Sequence, residues 1–126
     1  MALGKKENVQ IKKVKPYPFA AQFTKGAQIF TGQVIKLVMH GFMVELGPIV
    51  TKVGDLYQVS FILPSEDLPI ITQVKVIKTY DKYQAVEAPT KAVRLAEFHF
   101  VLPNEELKKK VKHFLKAIKQ VGTDLV

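Results

Sequence analysis

Cysteine and tryptophan are absent from the 126 residues, and arginine occurs once, at Arg94. Without cysteine the chain can form neither disulfides nor thiolate metal sites. Histidine is scarce too: His40, His99 and His113 fall in a turn, a strand and a helical stretch, with no metal-ligand spacing among them. Ser60 and Ser65 are the only serines, and neither stands in a nucleophile-elbow sequence. No glycine-rich phosphate loop is present. No apolar run approaches the roughly 18 residues of a membrane span. The N-terminus, Met-Ala-Leu-Gly-Lys-Lys-Glu-Asn, lacks the apolar core of a signal peptide. These absences point away from an enzyme, a metal or another cofactor, and toward a cytoplasmic chain with no membrane span.

What is present is an ordinary globular composition, 48% hydrophobic and 24% charged. The length suits one domain with one continuous core. Net charge is +8, and of the 19 basic residues all but Arg94 are lysine. Lysine offers a compact point charge, whereas arginine offers a planar fork that matches phosphate and guanine edges. Such a surface favours loose electrostatic attraction over shaped recognition of anions.

Residues 1–16 carry Lys5, Lys6, Lys12, Lys13 and Lys15 and read as a basic peripheral arm. The domain proper spans 17–122. From Phe19 to Leu102 the signals are those of strands: Phe19–Thr24, then Ala27–Met39 with Gly32 as its expected bulge point, then the alternating Phe42–Leu46. Leu56–Leu63 follows, with Tyr57, Val59, Phe61 and Leu63 on one face. Ile70–Tyr80 carries Val74 and Val76, and Asp81 to Pro89 is expected to be a connection. In Val93–Leu102, Ala96, Phe98 and Phe100 face one way, Glu97 and His99 the other. Six or seven short strands separated by turns predict an antiparallel barrel or sandwich. Asn104 then reads as an N-cap, with Glu105 and Glu106 in the first turn and Gly122 as the stop. Leu107, Val111, Phe114, Leu115 and Ile118 recur at helical spacing, so a helix over 104–121 is expected to lay its apolar stripe on the sheet.

That order of parts resembles a PilZ domain, over roughly residues 10–120. The likeness rests on Gly32–Leu46, Val53–Pro64 and Leu95–Leu115: a long strand ending in a glycine break, a Gly-Asp turn into a strand ending Leu-Pro, and an aromatic last strand before a closing helix. It implies a mainly β fold, a six- or seven-stranded antiparallel PilZ-like β-barrel with a C-terminal α-helix. It also implies a place in bacterial second-messenger or motility circuits. PilZ domains are receptors for cyclic di-GMP through an Arg-x-x-x-Arg pair in the N-terminal arm and an Asp/Asn-x-Ser-x-x-Gly run after the second strand. Arginine forks take phosphates and guanine edges, and the acid or amide and the serine hold base edges.

Setting Gly41 at the motif glycine puts Lys36 at the Asp/Asn position and Val38 at the serine position. Only the glycine matches. The arm offers Lys12, Lys13 and Lys15 where the family has arginines, and no two of them are four residues apart. The ligand-binding positions implied by the resemblance are therefore Lys12, Lys13, Lys15, Lys36, Val38 and Gly41. Each has an ordinary explanation beside the functional one: the lysines of the arm as a solvated charge run, Lys36 as an outward-pointing strand residue. The expected function is a PilZ-like adaptor acting by protein–protein contact, with weak or no cyclic di-GMP binding. The alternatives are a genuine receptor that uses lysines and backbone groups, and a single-stranded nucleic-acid-binding OB-like barrel. The last requires aromatics exposed beside lysines on one sheet face.

Overall fold

A computed structural model of the chain describes residues 16–64, 66–83 and 92–118. Lys12, Lys13, Lys15 and Gly122 lie outside the described residues. Six strands and one helix follow one another: β1 Phe19–Lys25, β2 Gln28–Val38, β3 Gly41–Gly47, β4 Leu56–Phe61, β5 Ile70–Tyr83, β6 Ala92–Phe100 and α1 Glu105–Ala117. All pairings are antiparallel, and the strands close in the order β1-β2-β3-β6-β5-β4. The last joint is β4 back to β1, with Ala21 opposite Phe61 and Phe23 opposite Val59.

Period-two alternation decides which side chains fill the barrel. Val34, Phe42, Val44, Val59, Val74, Val76, Ala96 and Phe98 point inward and are fully buried. Phe23 stacks on Phe30 at 5.2 Å and meets Phe98 at 4.8 Å, so aromatic rings fill the centre of the core. Burying such side chains contributes about 1.5–3 kcal/mol each.

Three sequence expectations need correction. The bulge in β2 falls between Val34 and Lys36, not at Gly32. Gly32 sits in regular register opposite Ala21, and its lack of a side chain has a packing cause. A Cβ there would lie 2.5 Å from Val44 Cγ1. The second correction concerns Asp81 to Pro89. Asp81, Lys82 and Tyr83 continue β5 and pair with Arg94, Val93 and Ala92, helped by an ion pair from Arg94 to Asp81 at 2.7 Å. The last strand also ends earlier than its apolar run suggests, at Phe100, because Leu102 adopts a left-handed backbone (φ 48°) that turns the chain toward the helix.

The side chain of Asn104 accepts a hydrogen bond from the Leu107 amide at 2.8 Å and starts α1. Leu107, Val111 and Phe114 are its buried residues. Phe114 packs edge-on against Tyr17 and Phe19, at 6.2 and 6.1 Å. The helix thereby covers the part of the core where β1 begins.

Candidate functional site

Of the motif-equivalent positions, Lys36, Val38 and Gly41 lie on the outer face of the barrel where β5, β6, β3 and β2 run side by side. Cross-strand partners share a face, so the register can be read as rows. One outer row is Lys75, His99, Gly41 and Val38. The next row, Val76, Phe98, Phe42 and Leu37, points into the core. A second outer row is Lys78, Glu97, Met43 and Lys36. Lys36 is thus an outward strand residue, as its surroundings in the sequence suggest, and half-buried.

Glu97 and Met43 lie between Lys78 and Lys36, and His99 and Gly41 between Lys75 and Val38, so polar groups border a small apolar patch. Val38 is 0% exposed and Met43 only 5%, although both lie on the outside of the barrel. They form a small cluster of their own, with Tyr80 and Leu95 packed against it. Lys78 extends over the Tyr80 ring at 5.7 Å. The Tyr80 hydroxyl is buried with no hydrogen-bond partner among the described residues.

Gly41 has a structural cause. A Cβ at this position would collide with the carbonyl oxygen of Phe98 and come within 2.9 Å of the His99 Cα. The close approach of β3 to β6 therefore demands glycine, whether or not a ligand binds.

The fold also joins groups that the sequence leaves far apart. His40, in the β2–β3 turn, meets His99 edge to face, with ring centroids 4.6 Å apart. His99 Nε2 lies 2.8 Å from Glu97 Oε2, and Glu97 is largely sheltered. His40 and His99 are thus not scattered: the pairing of Gly41 with His99 brings them together. The residue pattern holds one retrospective signal, His99 two positions after Glu97 on a strand, which places both on one face. No group of three or more His, Cys, Asp or Glu that could hold a metal is assembled among the described residues. What the arrangement offers chemically is a mixed surface, Lys36, Lys75, Lys78, His40 and His99 with Glu97, beside a sealed apolar cluster of Val38 and Met43.

The aromatics that a nucleic-acid-stacking face would need are mostly inside. Phe19, Phe23, Phe30, Phe42, Tyr57, Phe61, Phe98, Phe100 and Phe114 all belong to the core. Among the described residues, no helix is long and apolar enough to cross a membrane.

No protein-family model matches the sequence, and no curated protein matches it either. Solved structures do match. The PilZ domain with c-di-GMP of YcgR from Escherichia coli superposes with a TM-score of 0.66 at 14% identity, covering 81% of this chain and 82% of that one. The Bacillus subtilis inhibitor of motility (MotI/DgrA) gives 0.64 at 11% identity over 82% of this chain and 48% of its own, so this chain spans about half its length. The PilZ domain of CeSA from a cellulose synthesizing bacterium gives 0.56 at 16% identity, covering 84% and 97%. At such identities the likeness is one of fold: the chain has the closed six-stranded barrel and terminal helix of PilZ domains.

Proposed function

We propose that this chain, with its PilZ-domain fold, is a non-enzymatic, cytoplasmic adaptor in bacterial cyclic di-GMP signalling or motility. It acts by protein–protein contact and binds the dinucleotide weakly or not at all. One observation carries the proposal: the motif's serine position holds Val38, which is 0% exposed and packed with Met43, Tyr80 and Leu95. A base edge brought to that spot meets an apolar side chain at residue 38 in place of a hydroxyl, and cannot reach it without opening the cluster. A polar group desolvated without a partner costs about 1–3 kcal/mol. Lys36, at the acid or amide position, has three donors and no acceptor for guanine N–H groups. Lysines in the arm keep charge but lose the fork. Losses of about 4 kcal/mol weaken binding nearly a thousandfold.

The basic rim of Lys36, Lys75 and Lys78 and the likeness to a domain solved with c-di-GMP support a second reading, a receptor that holds the ligand through lysines. Calorimetric titration of the full chain with cyclic di-GMP separates the two. The adaptor predicts affinity no better than high micromolar. The pair Lys36→Asp and Val38→Ser, with Lys12 and Pro16 both replaced by arginine to recreate the four-residue offset, should regain measurable affinity. Low-micromolar binding by the unaltered chain establishes the receptor instead.

A further inference from the structure

The outer surface of the barrel divides into a charged side and an uncharged one. Lys36 of β2, Lys75 and Lys78 of β5, and Glu97 and His99 of β6 stand on the first. On the second, β1 runs between β2 and β4. Its outward residues form rows with theirs: Thr31, Gln22 and Ser60 in the middle, Ile29, Thr24 and Gln58 to one side, Gln33 with Ala20 to the other. The alternate residues, Phe23, Phe30 and Val59 among them, fill the core. All of the outward set but Thr24 and Ser60 are exposed, Ile29 to 62%. None of these side chains is ionisable. Across β4 the rows continue uncharged into Ile71 and Gln73 of β5. The charges nearest to the face lie at its border: Glu45, opposite Gln33, and Lys25, which is tied to Asp55 at 3.3 Å.

The fold alone does not call for this segregation, since outward strand positions elsewhere on the same barrel hold Lys75, Lys78 and Glu45. Its consequence is electrostatic. The chain carries a net charge of +8, and a two-fold interface sets one patch against itself. A lysine near the centre of such a patch meets a lysine of the copy. Carboxamides and hydroxyls instead pair with their like, because each both donates and accepts.

We propose that this chain associates with a second copy through the uncharged face of β2, β1 and β4, with Gln22, in the middle of the middle row, at the two-fold axis. Occupants selected by charge find nothing to pair with there: an acidic segment, nucleic-acid phosphates and an anionic membrane all need basic groups on the face. Three strands and three rows span about 15 by 20 Å, a contact at the small end of specific interfaces. The dimer is accordingly weak, with a dissociation constant of about 0.1 mM. It goes beyond the adaptor function and does not depend on it. Both charged sides stay open in the pair, which can therefore engage a partner at two places at once.

Sedimentation equilibrium of the full chain, from about 10 µM to about 1 mM, should show a reversible monomer–dimer equilibrium. Added salt should strengthen it, because salt screens the repulsion between two positive monomers and the interface holds no ion pair to weaken. Gln22→Lys should weaken the dimer more than about tenfold, while the melting temperature of dilute protein stays unchanged, since this side chain points to solvent. An equimolar mixture of Gln22→Lys and Gln22→Glu should associate more tightly than either variant alone, because the axis then sets lysine against glutamate. A chain that stays monomeric over this range overturns the proposal and leaves the face to an uncharged partner of another kind. A dimer that salt disrupts, a dimer indifferent to Gln22→Lys, or a mixture no more associated than its components overturns it as well.

Discussion

Gly41 and Phe98 approach so closely across β3 and β6 that the glycine leaves no room for a Cβ against the Phe98 carbonyl. The strand pairing sets this contact, with Phe42 opposite Phe98 and Gly41 opposite His99. Gly41→Ala is expected to cost about 3 kcal/mol or more, since backbone has to move at a site flanked by core residues. Urea denaturation in the absence of any nucleotide measures it. A near-neutral substitution would show that the strands are further apart. The practical consequence is that loss of binding in a Gly41 variant says nothing about ligand contact.

Phe114 ties α1 to the barrel through Tyr17 and Phe19. Truncation to alanine should cost about 3–5 kcal/mol, a large share of the roughly 5–15 kcal/mol that holds a domain together. Phe114→Ala should therefore melt far below the parent chain in calorimetry. Unchanged melting would mean that the helix does not hold the barrel in solution.

Tyr57 couples stability to alkaline pH. Burial pushes its phenol above the ordinary value; the Asp55 carboxylate adds to that, and Lys25 opposes it. The folded state then keeps a proton that the unfolded chain loses. The resulting stability is intact below about pH 10 and declines as pH rises past it. Tyr57→Phe should lose less stability than the parent between about pH 9 and pH 11, by chemical denaturation at each pH. A steeper loss in the variant reverses the sign and overturns the assignment.

Leu102 combines a positive φ of 48° with 91% exposure. Its side chain contributes little burial, and its backbone conformation costs an L-residue about 1–2 kcal/mol. Allowing for the greater freedom glycine loses on folding, Leu102→Gly should gain about 0.5–1 kcal/mol, whereas the β-branched Leu102→Val should lose stability. Equal effects of the two substitutions in urea titrations would remove the strain.

Much of this molecule is written in local pattern. Alternation alone places Tyr57, Val59, Phe61 and Leu63 on one face and separates Ala96, Phe98 and Phe100 from Glu97 and His99, because successive strand side chains must point to opposite sides. The helix start at Asn104 is equally local, since one side-chain oxygen and one amide three residues on define it. Lys36 and Val38 are legible as departures from the PilZ pattern, and Gly41 as its one match. Other features depend on which strands become neighbours. The bulge after Val34 arises from matching β2 to both β1 and β3, and the role of Gly32 depends on Val44 arriving from the next strand. Period two assigns Met43 to the outer face, but Val38 turns outward only through the bulge between Val34 and Lys36, and only the approach of Tyr80 and Leu95 closes a cluster around them. His40 meets His99 only because barrel closure sets β3 beside β6. Local alternation sets the face a side chain takes between bulges; where the bulges fall, and which distant strands touch, arises from register and closure, which involve the whole chain at once.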